Sequence, residues 1–446
     1  MTAKSIDALD VYISGRHVGD LRQLQGGKLS FSYSDQWMNG KVAIPLSLSM
    51  PTIRKTHEGR VVEAFLWGLL PDNEQTLSKW AQKFQVSARN AFSLLKHVGQ
   101  DCAGAVQFIP QDGSAIRGEK LDYLTDEEIG ERLRELRIDG AATRKYGDFG
   151  QFSLGGAQAK TAFHFDAVAG RWGVPSGDTP TTHIFKPPMP HLNGHTENEH
   201  FCLRLARMMG MDAAETQVLE FAGEKAIVVT RYDRRNIDGK VVRIHQEDMC
   251  QALAVMPSSK YENQGGPGVV TISNQVLPAS NDPVRDRRTF MEANVFNWII
   301  GGTDAHAKNY SMLLGARAEA RLAPLYDISS ILPHLGEGEI EANMRDIRLA
   351  MRIDRVYPIN EVMPRHWERC ATAAKVGAEF TMEAIRRQLA SMPDLASDCA
   401  ERLREEGIDH EVVGRLVDAI SGRARDLSKL YGQEAADEPS APACGR

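Results

Sequence analysis

The sequence predicts an α+β fold of two lobes, with a small β-rich subdomain at the N-terminus and an α-helical lobe at the C-terminus. Three observations carry this. Residues 8 to 50 hold short alternating apolar runs broken by Gly and Asp, the pattern of half-buried strands. In mid-chain, Thr181-Thr-His-Ile-Phe-Lys186 is β-branched and aromatic and lies between Pro180 and Pro187-Pro188, as a strand should. Beyond residue 289 the apolar period becomes helical, over 289–300, 379–390 and 410–431.

In chain order, Val11-Tyr-Ile13, Leu29-Ser-Phe-Ser-Tyr33 and Ile44 to Leu48 are expected to form a small antiparallel sheet. Residues 61–70 and 87–98 have helical spacing. Thr125 to Leu136 is acidic and opens on Thr125 with Glu128, a capping-box pair, so a solvent-facing helix is expected. Gly140 to Gly150 reads as a turn-rich linker, and a further helix is expected from Asn198 to Met209. Five segments follow: 1–110, the N-terminal subdomain; 111–150, helix and linker; 151–288, an N-lobe-like region; 289–432, the helical lobe; and 433–446, a Pro/Ala-rich tail expected to be disordered.

A chain of 446 residues, 42% hydrophobic, can bury a sizeable core in two or three subdomains. A net charge of −6 and a pI near 6.1 exclude a general attraction to nucleic acid or membrane. The basic runs Arg231-Tyr-Asp-Arg-Arg235 and Arg285-Asp-Arg-Arg288 are interleaved with acids and read as solvated faces. No long apolar stretch and no signal-peptide pattern are present, so a cytoplasmic protein without membrane association is expected. The six cysteines show no C-x-x-C spacing, and Cys202 and Cys250 sit in apolar helical patterns, which predicts buried reduced thiols.

Chemistry concentrates in Thr303-Asp-Ala-His-Ala-Lys-Asn309 and Tyr326-Asp327. Kinases set an Asp at the acceptor hydroxyl, and hold the phosphate-bridging Mg²⁺ with an Asn in the same loop and a second Asp after a strand. Asp304, Asn309 and Asp327 match that order, though an Asx-rich turn would suit the first two equally. Lys186 ends its strand as a phosphate-binding lysine does, and needs an acid to hold it. Glu197 and Glu199 open the next helix; Glu199 is the better partner because Phe201, Leu203 and Leu205 imply packing from that point. A surface lysine among solvated acids is the alternative. Upstream, Phe152-Ser-Leu-Gly-Gly-Ala-Gln-Ala-Lys-Thr161 offers a glycine pair whose backbone N–H groups could approach phosphate; alone it reads as a hairpin turn. It is not a Walker A loop, since Ala159 stands where glycine should precede Lys-Thr.

These strings resemble the HipA family of serine/threonine kinase toxins from bacterial toxin–antitoxin modules. Besides those quoted, Tyr232-Asp-Arg-Arg235, Gln246-Glu-Asp-Met-Cys-Gln251, Lys260-Tyr-Glu262 and Gly265-Gly-Pro-Gly268 fall in the family's order. The resemblance implies a protein-kinase or phosphoinositide-kinase-like fold, use of ATP and Mg²⁺, Asp304 as catalytic base, and Asn309 and Asp327 as metal ligands. It implies a phosphate loop of Gly155, Gly156, Ala157, Gln158, Ala159 and Lys160, with Lys186 on the phosphates and Glu199 supporting it. His306, Ala307 and Lys308 would lie against nucleotide phosphate, Thr230, Arg231 and Tyr232 would form the adenine hinge, and Tyr326 would line the site. Ser153 matches the serine that the family autophosphorylates, expelling the loop.

The implied partners are a small helix-turn-helix antitoxin dimer, operator DNA through that dimer alone, and a protein target, by resemblance an aminoacyl-tRNA synthetase such as the glutamyl enzyme. A lipid or small-molecule kinase is the alternative, because D-x-H-x-x-N also suits a phosphoinositide-kinase loop; no polybasic patch adjoins it here. A catalytically dead corepressor would be expected to lack Asp304 or Asp327, and both are present.

Overall fold

Alternation in the first strands folds them into one layer. In the computed structural model, which describes residues 7–111, 118–140, 153–156, 158–336 and 339–433, a five-stranded antiparallel sheet runs in the order Thr56–Glu58, Leu29–Tyr33, Arg16–Gln23, Ala8–Ile13, Val106–Pro110. Leu9, Val11 and Ile13 point to one face and pack with Phe31, Phe65, Leu69, Phe92 and Phe108. The helices Arg60–Leu69, Glu74–Phe84 and Ala91–Val98 supply the other layer. Residues 44–48 depart from expectation and form no strand. Their backbone is held by side chains instead: Leu46 N–H donates to Tyr33 Oη (2.7 Å), and Ile44 C=O accepts from Trp37 Nε1 (3.0 Å). Pro45 also removes one ladder donor.

The second body is a six-stranded antiparallel sheet, in the order Thr216–Phe221, Glu224–Thr230, His183–Lys186, Thr161–Asp166, Arg171–Gly177, Glu119–Tyr123. The segment read as helix and linker therefore contributes an edge strand. Its helix, Asp126–Ile138, has the expected capping box, with Thr125 N–H on Glu128 Oε2 at 2.8 Å and Glu128 N–H on Thr125 Oγ1 at 3.3 Å. It is not simply solvent-facing: Ile129, Leu133 and Leu136 are buried, the first two against Phe163, Phe185 and Phe221. Residues 141–152, most of the expected linker, lie outside the described residues, as does the tail beyond 433.

The third body is helical, with Pro283–Ile300, Pro364–Ala373, Ala378–Glu405 and Glu411–Gln433 packed around Trp298, Trp367 and Phe290. A three-stranded sheet joins it, His245–Asp248 beside Ser311–Leu314 beside Ala320–Leu322. Met249, Cys250, Val269 and Ile272 belong to this core. The lobe boundary expected at 288 is thus corrected to the approach to His245, because the strand pairing of 245–248 outweighs the later onset of long helices. Five free cysteines, Cys202 and Cys250 among them, are buried. Among the described residues, no helix is long and apolar enough to cross a membrane.

The basic run at 231–235 is not a solvated face. Arg231, Asp233 and the Arg234 side chain are buried. Asp101, at the end of the N-terminal subdomain, accepts from Arg234 Nη2 and Arg243 Nε (2.9 Å each) and from Thr181 Oγ1 (2.6 Å). Asp233 takes Arg231 Nη2 and Gly104 N–H, both at 2.7 Å. Buried charges persist only when paired, and here Asp101 of the first body is matched to Arg234 and Arg243 beyond it, while Asp233 pairs with Arg231 and takes a backbone N–H from the first body. Sequence order hides this, since Asp101 lies far from its partners along the chain.

Candidate active site

One cavity of about 330 Å³ lies between the six-stranded sheet, the helical body and the end of helix Arg60–Leu69. Its roof is the lysine strand. Ile184 and Lys186 line the cavity while Phe185 points into the core, so strand alternation aims the ammonium inward. Below it runs helix His195–Met208, begun by Gly194 at φ +74°, where a Cβ would meet His410 and Val412. Its first turns are polar yet buried because both lobes cover them. Asn198 bonds Ser330 twice, Nδ2 to C=O at 2.7 Å and Oδ1 from N–H at 2.9 Å, which fixes this helix to the chain just after Asp327.

The lysine and two acids meet there. Lys186 Nζ is 2.7 Å from Glu199 Oε1 and 2.6 Å from Asp327 Oδ1. Burial opposes the ammonium, but Asp327 and Glu199 overcome it and hold Lys186 above the usual lysine range. Asp327 is pushed well below the ordinary carboxylate range, since Lys186 and Lys160 outweigh burial, whereas burial raises Glu199. Glu197 points elsewhere, 3.4 Å from Lys225, so of the two glutamates Glu199 is the one that meets Lys186. Asp327 itself adopts the left-handed region at φ +57°, uncommon for a residue other than glycine and a mark of a constrained site.

The 304–309 loop stands opposite. Asn309 Nδ2 donates to the Asp304 carbonyl at 2.8 Å, which fixes the amide and leaves Oδ1, among the described residues, available as a metal ligand. Both Asn309 and Asp327 line the cavity, and a carbonyl with a carboxylate is the hard-oxygen set that Mg²⁺ takes alongside phosphate oxygens. The residues present fit that ion. Asp304 reaches outward with its side chain 65% exposed, and Tyr261 Oη donates to its Oδ1 at 2.6 Å. His306 is buried, its pKa lowered by burial, with Nδ1 unpartnered among the described residues. Lys308 Nζ meets Asp72 Oδ1 at 2.5 Å, and Lys260 Nζ reaches the other oxygen at 3.0 Å.

Of the expected phosphate loop, Gly155, Gly156, Gln158 and Lys160 line the cavity, Ala159 lies just behind in an adjoining hollow, and Ala157 lies outside the described residues. Lys160 Nζ donates to Gly155 C=O at 2.8 Å; burial and neighbouring Lys186 lower it to about 8. The loop sits on the end of helix Arg60–Leu69. Ser153 Oγ donates to Leu69 C=O (2.8 Å), Asp72 N–H donates to Gly156 C=O (3.0 Å), and a Cβ on Gly155 would stand 2.7 Å from Gly68 O. Ser153 is fully buried.

At the expected hinge, Thr230, Arg231 and Tyr232 all border the cavity, and Tyr326 closes the same end, its ring centroid 5.7 Å from that of Tyr232. The Arg231 guanidinium turns away to Asp233, Thr181 and the Cys102 carbonyl, and the N–H groups of Thr230 and Arg231 already bond Glu215 and Thr182. Ala307 is buried beside the loop lysine. Sequence reasoning missed Asp72 altogether and gave Tyr261 no role of its own. Leu70-Pro-Asp-Asn73 carries a turn signal but nothing that marks Asp72 as a partner of Lys308.

The family model described as the HipA N-terminal domain matches residues 9–109, and that of the HipA-like C-terminal domain matches 152–396. The chain belongs to the HipA family of kinases. It is 34% identical to the Y4mE protein of Sinorhizobium fredii over 94% of this chain and 98% of that one. It is 31% identical to the serine/threonine-protein kinase toxin HipA of Shewanella oneidensis, over 71% of this chain and 74% of that protein. In fold it matches a chain of the Shewanella oneidensis MR-1 HipA, HipB and operator DNA complex, with a TM-score of 0.82 at 23% identity, over 97% of this chain and all of that one. The fold is thus the HipA fold, with its β-rich start and helical end.

Proposed function

We propose that this HipA-family chain is an ATP- and Mg²⁺-dependent serine/threonine-protein kinase toxin. The observation that carries the reading is the convergence of Lys186–Glu199, Asn309, Asp327 and Asp304 on one cavity. Phosphoryl transfer asks mainly for positioning and charge stabilisation. Lys186, Lys160, His306, Lys308 and the backbone of 155–160 hold the ATP phosphates, and Lys186 exchanges Asp327 for them. Asn309 Oδ1 and Asp327 hold the ion, which neutralises charge on the phosphates when bound. Asp304 orients the acceptor hydroxyl and takes its proton at a carboxylate oxygen. Thr230, Arg231 and Tyr232, with Tyr326, seat the adenine through backbone and ring surfaces.

The proposed acceptor is a protein of the translation machinery, by family resemblance an aminoacyl-tRNA synthetase such as the glutamyl enzyme, with growth arrest in the cytoplasm as outcome. A small HipB-like helix-turn-helix dimer is the proposed neutralising partner, supported by the fold match to a HipA chain from a complex with HipB and operator DNA. DNA contact runs through that dimer. Phosphorylation of Ser153 is the proposed self-inactivation: a group of charge about −1.5 to −2 cannot stay where the buried hydroxyl meets Leu69 C=O.

Labelling a lysate with γ-³²P-ATP tests the reading. Wild type is expected to label a protein at Ser or Thr. Asp304→Asn should lower transfer about 10²–10⁴-fold while still binding Mg-ATP by calorimetry. Label appearing only in lipid, or undiminished in the variant, refutes it.

A further inference from the structure

The Asp304 side chain is held at few points. It is mostly exposed, and its nearest ring nitrogen, His306 Nε2, is 4.0 Å away. Among the described residues the one hydrogen bond to its carboxylate comes from Tyr261, at 2.6 Å. The Tyr261 ring also stands edge-on to His306, with centroids 5.0 Å apart and planes at 81°. A rotor with two free χ angles, on which a reacting group depends, is thus pinned at a single point.

Tyr261 is in turn fixed from both sides. Lys260 Nζ is held by Asp72 of the N-terminal subdomain at 3.0 Å. Glu262 accepts from Arg352 N–H at 2.8 Å and from Arg352 Nε at 3.0 Å, on the hairpin strand Arg348–Ile353. Behind them, a Cβ on Gly266 would stand 2.2 Å from Ser259 O and 2.8 Å from Tyr261 O, so the following turn closes tightly on this segment. Residues 260–262 form a strap across the outer mouth. One end is anchored to the first body, the other to the third, and the middle reaches the acceptor carboxylate.

We propose that Tyr261 is a positioning residue for phosphoryl transfer. By holding Asp304 Oδ1 it fixes the carboxylate and leaves Oδ2, 4.0 Å from His306 Nε2, to take the acceptor proton, and Lys260–Asp72 and Glu262–Arg352 keep the tyrosine from swinging away. This rests on the kinase reading above. It assigns Tyr261 no contact with nucleotide: the residue acts through Asp304, so its loss changes turnover and spares Mg-ATP binding. Misplacement of a reacting group by about 1 Å can lower a rate on the order of 10²-fold.

Tyr261→Phe keeps the ring and its contact with His306 and removes only the hydroxyl. With Mg-ATP as the sole probe, phosphate release and self-labelling are measured at saturating nucleotide, beside the calorimetric Kd for Mg-ATP and the melting temperature. The expected result is a kcat lowered about 10–100-fold, with Kd changed less than about twofold and the melting temperature unmoved. A wild-type kcat in Tyr261→Phe, with Asp304→Asn inactive, overturns the inference and leaves the kinase reading standing. A higher kcat in Tyr261→Phe also overturns it, since the hydroxyl would then be a plug on Asp304. A fall in Mg-ATP affinity equal to the fall in kcat overturns it too. Full activity in Asp304→Asn removes the kinase reading, and the inference with it.

Discussion

At the scale of single residues, the site is held by charge placed where water is scarce. Lys186 sits between two carboxylates, one of them, Asp327, on strained backbone. Because Asp327 is proposed to act through an ion, Asp327→Ala should weaken ATP binding about tenfold or more with Mg²⁺ present, and much less in EDTA. Isothermal titration under both conditions checks this; equal losses would make Asp327 a purely structural acid. Lys186 and Glu199 were legible in the sequence because one ends a readable strand and the other lies in the first turns of a readable helix; Asp327 was found by its order in the chain, and the strand expected just before it stops at Leu322. Asp72 was not legible, since its partners Lys260 and Lys308 are brought to it only by the docking of two bodies. Arg231 was misread for a related reason: alternating charges look solvated until Asp101 arrives from another body and the cluster is covered.

At the scale of elements, the first strands, the lysine strand and the long C-terminal helices were legible from periodicity, whereas Glu119–Tyr123, Arg171–Gly177, Thr216–Phe221 and Glu224–Thr230 of the six-stranded sheet were not. Helix Glu74–Phe84 escaped notice although Asn73 caps it through Gln75 and Thr76 N–H, and Leu77, Trp80 and Ala81 make its buried face. Two element-level contacts lead to measurable outcomes. Where the phosphate loop meets helix Arg60–Leu69, Gly155→Ala would press a methyl on Gly68 O. Overpacking of this kind costs about 1–3 kcal/mol, and should appear as roughly tenfold weaker Mg-ATP affinity in a titration.

Where residues 46–49 meet strand His245–Asp248, Glu247 Oε1 accepts from Leu48 N–H at 2.7 Å, and burial pushes its carboxyl up to about 8. Unfolded, it titrates near 4.5. The folded state therefore binds a proton that the unfolded state releases, and stability declines as pH rises from 4.5 toward 8. Glu247→Gln removes that decline. Across this window, urea unfolding should shift in favour of the variant by several kcal/mol, about 5 at most. A difference that stays constant with pH would exclude the buried acid as its source.

At the scale of the molecule, the N-terminal body is joined to the chain after strand Glu224–Thr230 through Asp101 and its arginines. Burial disfavours this carboxylate, but Arg234, Arg243 and Arg231 outweigh it and hold Asp101 far below its usual range. Its contribution is present above the unfolded value, about 4, and fades only in strong acid. Asp101→Asn leaves buried guanidinium groups short of an anion, and should cost about 3–5 kcal/mol at pH 7 by chemical denaturation. A loss under about 1 kcal/mol would mean that water already reaches the cluster. The pairwise meeting of the three bodies is what local sequence patterns could not express, and it is there that the phosphate loop finds its seat.

That seat has a consequence in time. With Oγ given to Leu69, Ser153 would receive the proposed phosphate only during intervals when that hydrogen bond is broken. Self-inactivation would then run at the frequency of a rare excursion and not at the speed of the chemistry. The chain would carry a clock, wound by the fit of a few backbone atoms against helix Arg60–Leu69, and any partner gripping that helix would reset its period.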